Sequence, residues 1–388
     1  MIVTTRNKVL KKKGAVAAPA DPIKKLKIWV LYPYLVTEDP NLQYYYDFSQ
    51  SLAEYTRVFE AMEADWTWEK VTLQDYRELI GSIKKRSGRK IPLVLNLCDG
   101  DEVNGTPGIS VIHELEKNKL VYTGANSHYY DITTSKIPMK RAFDAAGVSN
   151  ARWEIIDGSQ GAVNGIPDSV DGICARLGAP LIIKPAVSGG SMGVSVKNVV
   201  YTDQQLKERI AELSKGYRGW NLLADGLIVE QFITGPEFTT LVVGSSDRPG
   251  QCVVYPAIER IFHASLPDEE KFLSFDRLWE IYEDEQAMPG NENFYNYHRP
   301  DPSLMEALEK ISLDAYVAVG GTGYGRLDIR MDSRTGELYM LEVNAQCGLS
   351  EDEDYTSIGA ILRYADQTFG SLVRRIIEDA FTRRKLKL

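Results

Sequence analysis

The sequence is poor in the residues that build disulfide frameworks and histidine-based catalytic sites. Its 388 residues include four cysteines, none of them in a CxxC pair, and four histidines. Scattered cysteines argue against a disulfide framework or a thiolate metal site and favour a reduced compartment, so we expect a cytoplasmic protein. The four histidines form no constellation with a nucleophile, which argues against a Ser–His or Cys–His mechanism.

Long apolar runs and excess positive charge are also missing. No apolar run approaches the ~18 residues that span a bilayer, so we expect no membrane association. The net charge of −9 is unfavourable for nucleic acid, and any phosphate-bearing ligand must be met by a few placed cations. Residues 1–20 are basic but lack the apolar core of a secretory signal, and we interpret residues 1–25 as a flexible tail.

Strands alternate with helices in the first third of the chain. Apolar runs at Lys27–Pro33, Ile91–Leu97 and Leu120–Tyr122 predict strands, and helical spacing predicts helices over 48–62 and 108–116. This alternation is typical of an α/β layer with a parallel sheet.

Glycine and proline become frequent after about residue 150. Runs at Leu181–Lys184 and Val194–Val200 predict strands around a glycine-rich stretch, and Leu227–Phe232 and Phe238–Val243 predict a strand pair joined by a Gly-Pro turn. Residues 264–300 lack periodicity, and a long excursion of this kind is typical of a functional lid. We therefore predict an α/β protein, α+β in part, with domains at 26–130, 131–225 and 226–388.

A glycine-rich segment follows the predicted strand that ends at Lys184. It includes Gly189, Gly190 and Ser191, and its glycines let backbone N–H groups close on phosphate oxygens beside the lysine charge. It is not a P-loop, because no Gly-Lys-Ser/Thr ending and no immediate helix follow. A plain hairpin turn remains the alternative.

Two predicted strands near the end of the chain carry alternating polar residues. The period of two places Arg326, Asp328, Glu342 and Asn344 on one sheet face. Carboxylates and an amide brought together in this way fit Mg²⁺ with bound phosphates, and Mn²⁺ is an alternative. A surface sheet with solvated charges would give the same pattern.

A third segment runs from Glu230 to Glu237. Its two acids can reach the adenine amine and ribose hydroxyls of a nucleotide, but a Gly-Pro hairpin with two exposed acids gives the same sequence.

In order and spacing, these segments together with Lys136 resemble the ATP-grasp superfamily. Val121-Tyr122-Thr123-Gly124 and Asn344-Ala345-Gln346-Cys347-Gly348 resemble its D-alanine–D-alanine ligase branch, and the resemblance covers roughly residues 26–385. It implies a three-domain fold, with an N-terminal parallel-sheet domain, a central lid domain and a C-terminal domain that holds ATP and Mg²⁺.

The resemblance also implies a role for each matching residue. Lys136, Lys184 and the glycine loop would contact phosphates. Glu230 and the Phe232–Ile233 backbone would frame adenine, and Glu237 would hold the ribose. Asp328, Glu342 and Asn344 would hold the metal. Arg326 and the Gly348 N–H would stabilise the tetrahedral intermediate.

The chain departs from the family at the substrate positions. Counting from the first strand places Glu38 at the family's substrate-binding glutamate, and Ser191 stands beside the family's serine position, which is Gly190. The family carries a lysine on its mobile loop, and the corresponding residue here is Leu278. The neighbouring Arg277 then becomes the candidate for the γ-phosphate contact, with Arg260 and Lys271 as alternatives.

The largest departure is the acidic run that follows Gly348. Glu351, Asp352, Glu353 and Asp354 stand where the family grips a substrate carboxylate. At close range they would repel a carboxylate by ~4 kcal/mol per pair, so we predict a second substrate without a free carboxylate there. Acids pointing to solvent at a loop tip are the alternative.

The resemblance implies an ATP-dependent, ADP-forming ligase that joins a small-molecule carboxylate, such as an amino acid, to an amine through an acyl phosphate. Another ATP-grasp activity, either carboxyl phosphorylation or carboxylation, and a nucleotide-binding protein without catalysis remain alternatives. A homodimer is left open.

Overall fold

The computed structural model describes residues 21–38, 47–103, 105–156, 170–217, 219–386 and 388. The predicted tail over residues 1–20 lies outside this part of the chain. Residues 21–25 were predicted as tail but are ordered. Asp21 caps a 3₁₀ helix over Pro22–Lys25, whose Ile23 is fully buried. No helix among the described residues is both long and apolar enough to cross a membrane.

The first region contains a parallel sheet flanked by helices. Its elements are β1 (Leu26–Pro33), α1 (Ser49–Ala61), β2 (Asp65–Val71), α2 (Tyr76–Arg86), β3 (Ile91–Asn96), α3 (Ile109–Lys117) and β4 (Val121–Tyr122). The strand order is β2-β1-β3-β4, and all pairs are parallel, as predicted. The strand β2 and the helix α2 were missed, because the polar and aromatic residues of β2 show no buried face.

Two helices lead from this sheet into a central antiparallel sheet. The elements are α4 (Ser127–Thr134), α5 (Lys136–Ala146), β5 (Trp153–Ile156), α6 (Ile173–Leu177), β6 (Leu181–Pro185), β7 (Val199–Val200), α7 (Asp203–Leu213) and β8 (Leu227–Gln231). The order is β5-β8-β6-β7. The predicted strand over 194–200 is mostly wrong, because Val196–Asn198 forms a 3₁₀ turn capped by Ser195.

The last region is a six-stranded antiparallel sheet with helices on it. The elements are β9 (Glu237–Ser245), β10 (Val253–Val254), β11 (Ile258–Phe262), α8 (Phe275–Trp279), β12 (Tyr295–His298), α9 (Met305–Ala318), β13 (Thr322–Met331), β14 (Leu338–Ala345), α10 (Ser357–Tyr364) and α11 (Phe369–Arg383). The order is β12-β11-β9-β13-β14, with β10 on β9.

The predicted pairing of the strands around Gly235-Pro236 is wrong. Strand β8 has β5 and β6 on its two sides, while β9 pairs with β10, β11 and β13, so the Gly-Pro segment links two sheets. A Cβ on Gly235, whose φ is +140°, would lie 2.2 Å from the Met331 carbonyl oxygen. Strand β8 thus belongs to the central sheet, although the predicted boundary after residue 225 assigns it to the last domain.

The first and last regions share two hydrophobic clusters, whereas the central region has a cluster of its own. Along β1, Trp29 and Leu31 pack into one cluster that reaches Leu327 on β13. Ile28 and Val30 pack into another that reaches α11. The central cluster is separate, and it receives Phe275 from the excursion between β11 and β12. The excursion therefore ties the last region to the central one.

Gln346, directly after β14, joins the first region to the last. Its Oε1 accepts a hydrogen bond from the Ala125 N–H at 3.0 Å, and its Nε2 donates to the Asn96 carbonyl and, at 3.2 Å, to the Tyr324 hydroxyl. The end of β3, the loop after β4 and the strand β13 are thereby held together at one point.

Close backbone packing at this junction leads to a first prediction. Gly323 on β13 has φ +75°, and a Cβ there would lie 2.3 Å from the Gly124 carbonyl oxygen. We expect Gly323→Ala to destabilise the fold by about 2 kcal/mol or more, because strain and overpacking add. A thermal melt checks this, with Gly250→Ala, which meets nothing within 4 Å, as the control. Equal melting temperatures for the two variants would contradict the prediction.

Candidate active site

A cavity of about 660 Å³ lies between the central sheet, the last sheet and the carboxyl end of the parallel sheet. Most of the predicted nucleotide and metal residues line it: Lys136, Lys184, Gly189, Gly190, Ser191, Glu230, Phe232, Ile233, Glu237, Arg326, Asp328, Glu342, Asn344 and Gly348. Residues spread over more than 200 positions of the sequence therefore meet in one place.

The two polar strands are neighbours in the sheet, as their predicted shared face requires. Arg326 pairs with Asn344 and Asp328 with Glu342 across β13 and β14. Leu341 also lines the cavity, because the strand pairing shifts between Asp328 and Ile329 and leaves Leu341 without a partner on β13.

Asp328 is the most enclosed member of the polar set. Its Oδ2 accepts hydrogen bonds from Arg326 Nη2 at 2.9 Å and from Asn344 Nδ2 at 3.0 Å. Burial alone would raise its pKa, but the charges of Arg326 and Arg260 hold the pKa of this carboxyl below its usual value. Asp328 is therefore an anion in the folded protein.

The donor set fits a hard divalent cation. Asp328 Oδ1 is buried and has no hydrogen-bond partner within the described residues, and Asn344 Nδ2 also donates to Glu342 Oε1 at 3.3 Å. Two carboxylates and an amide are oxygen ligands of the kind that Mg²⁺ takes together with phosphate oxygens. Over the described ranges, no group of three or more His, Cys, Asp or Glu side chains is arranged to hold a metal.

The opposite wall carries lysines around a buried glutamate. Glu230 forms an ion pair with Lys184 at 2.7 Å and another with Lys140. Burial opposes ionisation of Glu230, yet the two lysines lower its pKa to about 2. Sequence reasoning missed Lys140, although it lies one helical turn beyond Lys136 on α5.

Lys136 and the glycine loop form the edge of this wall. Lys136 Nζ lies 3.4 Å from the Ser188 carbonyl oxygen, and burial lowers its pKa. Gly190 and Ser191 both have positive φ, and the indole Nε1 of Trp279 donates to the Gly190 carbonyl at 2.8 Å. The loop thus faces the cavity with its backbone, beneath the excursion between β11 and β12.

Glu237 is enclosed by two arginines: Arg330, which the predicted site did not include, and Arg260, which was named only as an alternative phosphate contact. Arg330 Nη2 donates to its Oε2 at 2.5 Å, and Arg260 pairs with its Oε1. Arg330 continues the alternation of Arg326 and Asp328 along β13, a signal that could have found it. Both oxygens of Glu237 are therefore engaged, although it lines the cavity as predicted.

The prediction for Arg277 is not supported by its position. Its guanidinium donates to Glu270 at 2.6 Å and lies 3.3 Å from Glu285, and it does not line the cavity. These acids hold Arg277 inside the excursion, so Leu278 and Trp279 face the cavity instead. Of the two alternatives, Arg260 lines the cavity and Lys271 does not.

The predicted substrate acids also lie elsewhere. Glu351 pairs with Arg57, Asp352 accepts the Tyr355 N–H at 3.0 Å, and Glu353 and Asp354 lie 3.7 Å from Arg363. None of the four lines the cavity, because local partners hold them on the outside of their loop. Glu38 is exposed and likewise absent from the lining.

The residues after the acidic run line the cavity instead. Tyr355, Thr356, Ser357 and Ile358 form the amino end of α10, where the Thr356 hydroxyl accepts the Gly359 N–H at 3.1 Å. A helix amino end favours anions. The sequence Thr356-Ser357 is typical of the start of a helix and could have predicted this helix end.

The electrostatics of the glutamate–lysine cluster lead to a second prediction. Because the pKa of Glu230 falls from 4.5 to about 2 on folding, its ion pairs stabilise the protein above about pH 4.5 and lose this effect as the pH falls toward 2. We expect Lys140→Ala to cost about 3 kcal/mol at pH 7, because a buried charge loses a partner.

Thermal melts at pH 7 and at stepwise lower pH values check this. The difference in melting temperature between wild type and Lys140→Ala should become smaller as the pH falls below 4.5. The control is Lys117→Ala, which removes the exposed lysine of a partly buried ion pair with Glu114 and should cost less than about 1 kcal/mol. Equal effects of the two variants would contradict the assigned role of Lys140.

Comparisons with known proteins agree with this geometry. The model of the family "D-ala D-ala ligase C-terminus" matches residues 142–378. D-alanine–D-alanine ligase B of Xanthomonas campestris pv. campestris is 28% identical over 286 residues, which are 74% of this chain and 77% of that protein. The D-alanine–D-alanine ligase of Marinobacter nauticus is 29% identical over 260 residues, 67% of each chain.

Solved structures share the fold. D-alanine–D-alanine ligase from Bacillus anthracis, complexed with ATP, aligns with a TM-score of 0.61 at 19% identity, covering 92% of this chain and 98% of that chain. The D-alanine–D-alanine ligase from Coxiella burnetii aligns with a TM-score of 0.61 at 17% identity, covering 93% and 96%. The three-sheet architecture is therefore the fold of these ligases.

Proposed function

Because the chain belongs to the D-ala D-ala ligase C-terminus family, we propose that it is an ATP-dependent ligase that joins a carboxylate to an amine and releases ADP and phosphate. One observation carries the proposal. A wall of lysines and a backbone-lined glycine loop faces a wall with an arginine and a metal-type donor set across a single cavity. Phosphoryl transfer needs this kind of positioning and charge neutralisation, and no nucleophilic side chain.

The lysine wall would bind the nucleotide. Lys136, Lys184 and the loop Gly189–Ser191 would contact the phosphates, and Glu230 would hold Lys184 in place. Adenine would lie against Phe232 and Ile233, which are apolar and line the cavity. The Phe232 N–H already donates to the Pro180 carbonyl, so it is not free for the base.

Asp328, Glu342 and Asn344 would hold Mg²⁺, with Mn²⁺ as an alternative, and the ion would neutralise phosphate oxygens. The substrate carboxylate would attack the γ-phosphate of ATP to give an acyl phosphate and ADP. The amine would then displace phosphate. Arg326 and the Gly348 N–H would stabilise the negative charge of the tetrahedral intermediate. Leu278 and Trp279 would exclude water, which competes with the amine.

The position of the acidic run changes the expected substrate. Since Glu351–Asp354 lie outside the cavity lining, their repulsion does not exclude a second substrate that carries a carboxylate. The amino end of α10, with Ser357, is suited to bind one. The relatives are D-alanine–D-alanine ligases, so D-alanine is the first amino acid to test. The unpaired cysteines of the described chain favour a cytoplasmic setting for this reaction.

The proposed function is tested by ADP and phosphate release over a panel of acids and amines with ATP and Mg²⁺. We expect release only when an acid and an amine are both present, because the acyl phosphate needs an acceptor. ADP formed with bicarbonate alone would indicate carboxylation, and ATP binding without turnover would indicate a binding protein. Either outcome would contradict the proposal.

The proposed role of Arg326 is tested by the variant Arg326→Ala. We expect turnover to fall by about 10²–10³, the usual effect of removing one preorganised donor to a developing oxyanion, while ATP affinity is retained. Steady-state kinetics together with ATP titration check this. The matched control is Arg363→Ala, which removes an arginine that does not line the cavity. Unchanged turnover in Arg326→Ala would refute the assigned role.

A further inference from the structure

Arg330 on β13 is a buried arginine whose guanidinium joins three segments of the chain. Its Nη1 donates to the Ile233 carbonyl at 3.2 Å, in the segment that links the central and last sheets. Its Nη2 donates to the Lys271 carbonyl at 2.5 Å, in the excursion between β11 and β12, and to Glu237 Oε2 on β9. The side chain is only 3% exposed, yet it lines the cavity. Arg330 therefore fixes the linker and the excursion on the sheet that carries the metal-type donor set.

Each carbonyl that Arg330 holds belongs to a residue next to an aromatic side chain of the cavity lining. Phe232 precedes Ile233, and Phe272 follows Lys271. The two rings meet edge to face with their centroids 5.7 Å apart, and the guanidinium carbon of Arg330 lies 5.5 Å from the centroid of the Phe232 ring. Because the rings come from different parts of the chain, their relative position depends on the group that joins their segments.

Charge balance alone does not account for Arg330. Glu237 forms ion pairs with both Arg330 and Arg260, so two cations face one carboxylate, and one of them would suffice to neutralise it. Arg330 adds geometry, because a planar guanidinium can donate to a carboxylate and to two carbonyls in fixed directions. The compact ammonium group of a lysine, on its flexible stem, cannot reproduce this arrangement.

We propose that Arg330 is a positioning residue for the nucleotide base. It holds Phe232 and Phe272 as two walls of the base site, so that ATP meets a formed apolar surface and little ordering entropy opposes its binding. This inference rests on the nucleotide site of the proposed function, in which adenine lies against Phe232. Arg330 acts through the rings rather than on the phosphates, because both of its terminal nitrogens already donate to protein oxygens.

The test compares ATP with inorganic tripolyphosphate, which carries the phosphates but no base. Dissociation constants of both are measured with Mg²⁺, without acid or amine, for the wild type and for Arg330→Met, which removes the donors. We expect the variant to bind ATP about 10-fold more weakly and to bind tripolyphosphate as the wild type does, because only the base loses its preformed walls. At saturating ATP, kcat should be unchanged, since the lost interaction is made equally in the ground state and the transition state.

Two further variants separate geometry from charge and from folding. Glu237 keeps Arg260 in Arg330→Met, so we expect that variant to fold. Phe272→Leu leaves every buried charge in place and should weaken ATP binding selectively in the same way. Arg330→Lys keeps a cation beside Glu237 but cannot hold both carbonyls, so its affinity for ATP should stay below that of the wild type.

Arg383 on α11 offers a matched control. It donates to the Tyr122 carbonyl at 3.0 Å, its Nε lies 2.8 Å from Asp379 Oδ2, and its guanidinium carbon lies 5.7 Å from the centroid of the Tyr122 ring, but it does not line the cavity. Arg383→Met removes a comparable set of contacts and should lower the melting temperature while leaving both dissociation constants unchanged. A similar loss of ATP affinity in this control would attribute the effect to destabilisation and overturn the inference.

Equal weakening of ATP and tripolyphosphate in Arg330→Met would also overturn the inference, and so would wild-type affinity for ATP in either Arg330 variant. These outcomes leave the ligase function standing. Selective loss of ATP affinity in Arg330→Met, together with a wild type that turns over no pair of acid and amine, would contradict the ligase function and support this inference.

Discussion

The antiparallel register of β13 and β14 is the constraint on which the site depends. It sets Arg326 opposite Asn344 and Asp328 opposite Glu342, so a cation and three oxygen-bearing side chains occupy one patch of sheet. The opposite face of β13 is buried by Leu327 and Ile329. A slip of one residue would turn the charged side chains into the hydrophobic core and the apolar ones into the cavity, and this penalty fixes the register.

Charge balance explains how an acidic chain can accept a polyphosphate. The chain has nine more acids than bases, but three cations line the cavity. In the proposed site, Lys136 and Lys184 would meet the phosphates and Arg326 would face the reacting carboxyl group. Carboxylates around them neutralise and orient these cations, as Glu230 does for Lys184. Other acids lie outside the cavity lining, among them Glu351, which pairs with Arg57, and Glu353 and Asp354, which lie near Arg363. Net charge is therefore a poor guide to this site.

Much of the fold and of the site followed from local pattern. The parallel sheet, the helix α1 and the alternation on β13 and β14 are properties of short windows, in which the period of apolar residues fixes the element and its buried face. Missed elements such as β2 lack that periodicity. The separation of β8 from β9 was also missed, because which strand pairs with which is settled by distant partners.

The sequence by itself determined the family resemblance, the alternation that places Arg326, Asp328, Glu342 and Asn344 on one face, and the glycine loop beside Lys184. Only the tertiary structure decided that Arg277 and Glu351–Asp354 lie off the cavity lining while Lys140, Arg260, Arg330 and Ser357 lie in or beside the site. The physical reason is that a side chain's role depends on its partners in space. Those partners come from other sheets and loops, and sequence spacing carries no information about them.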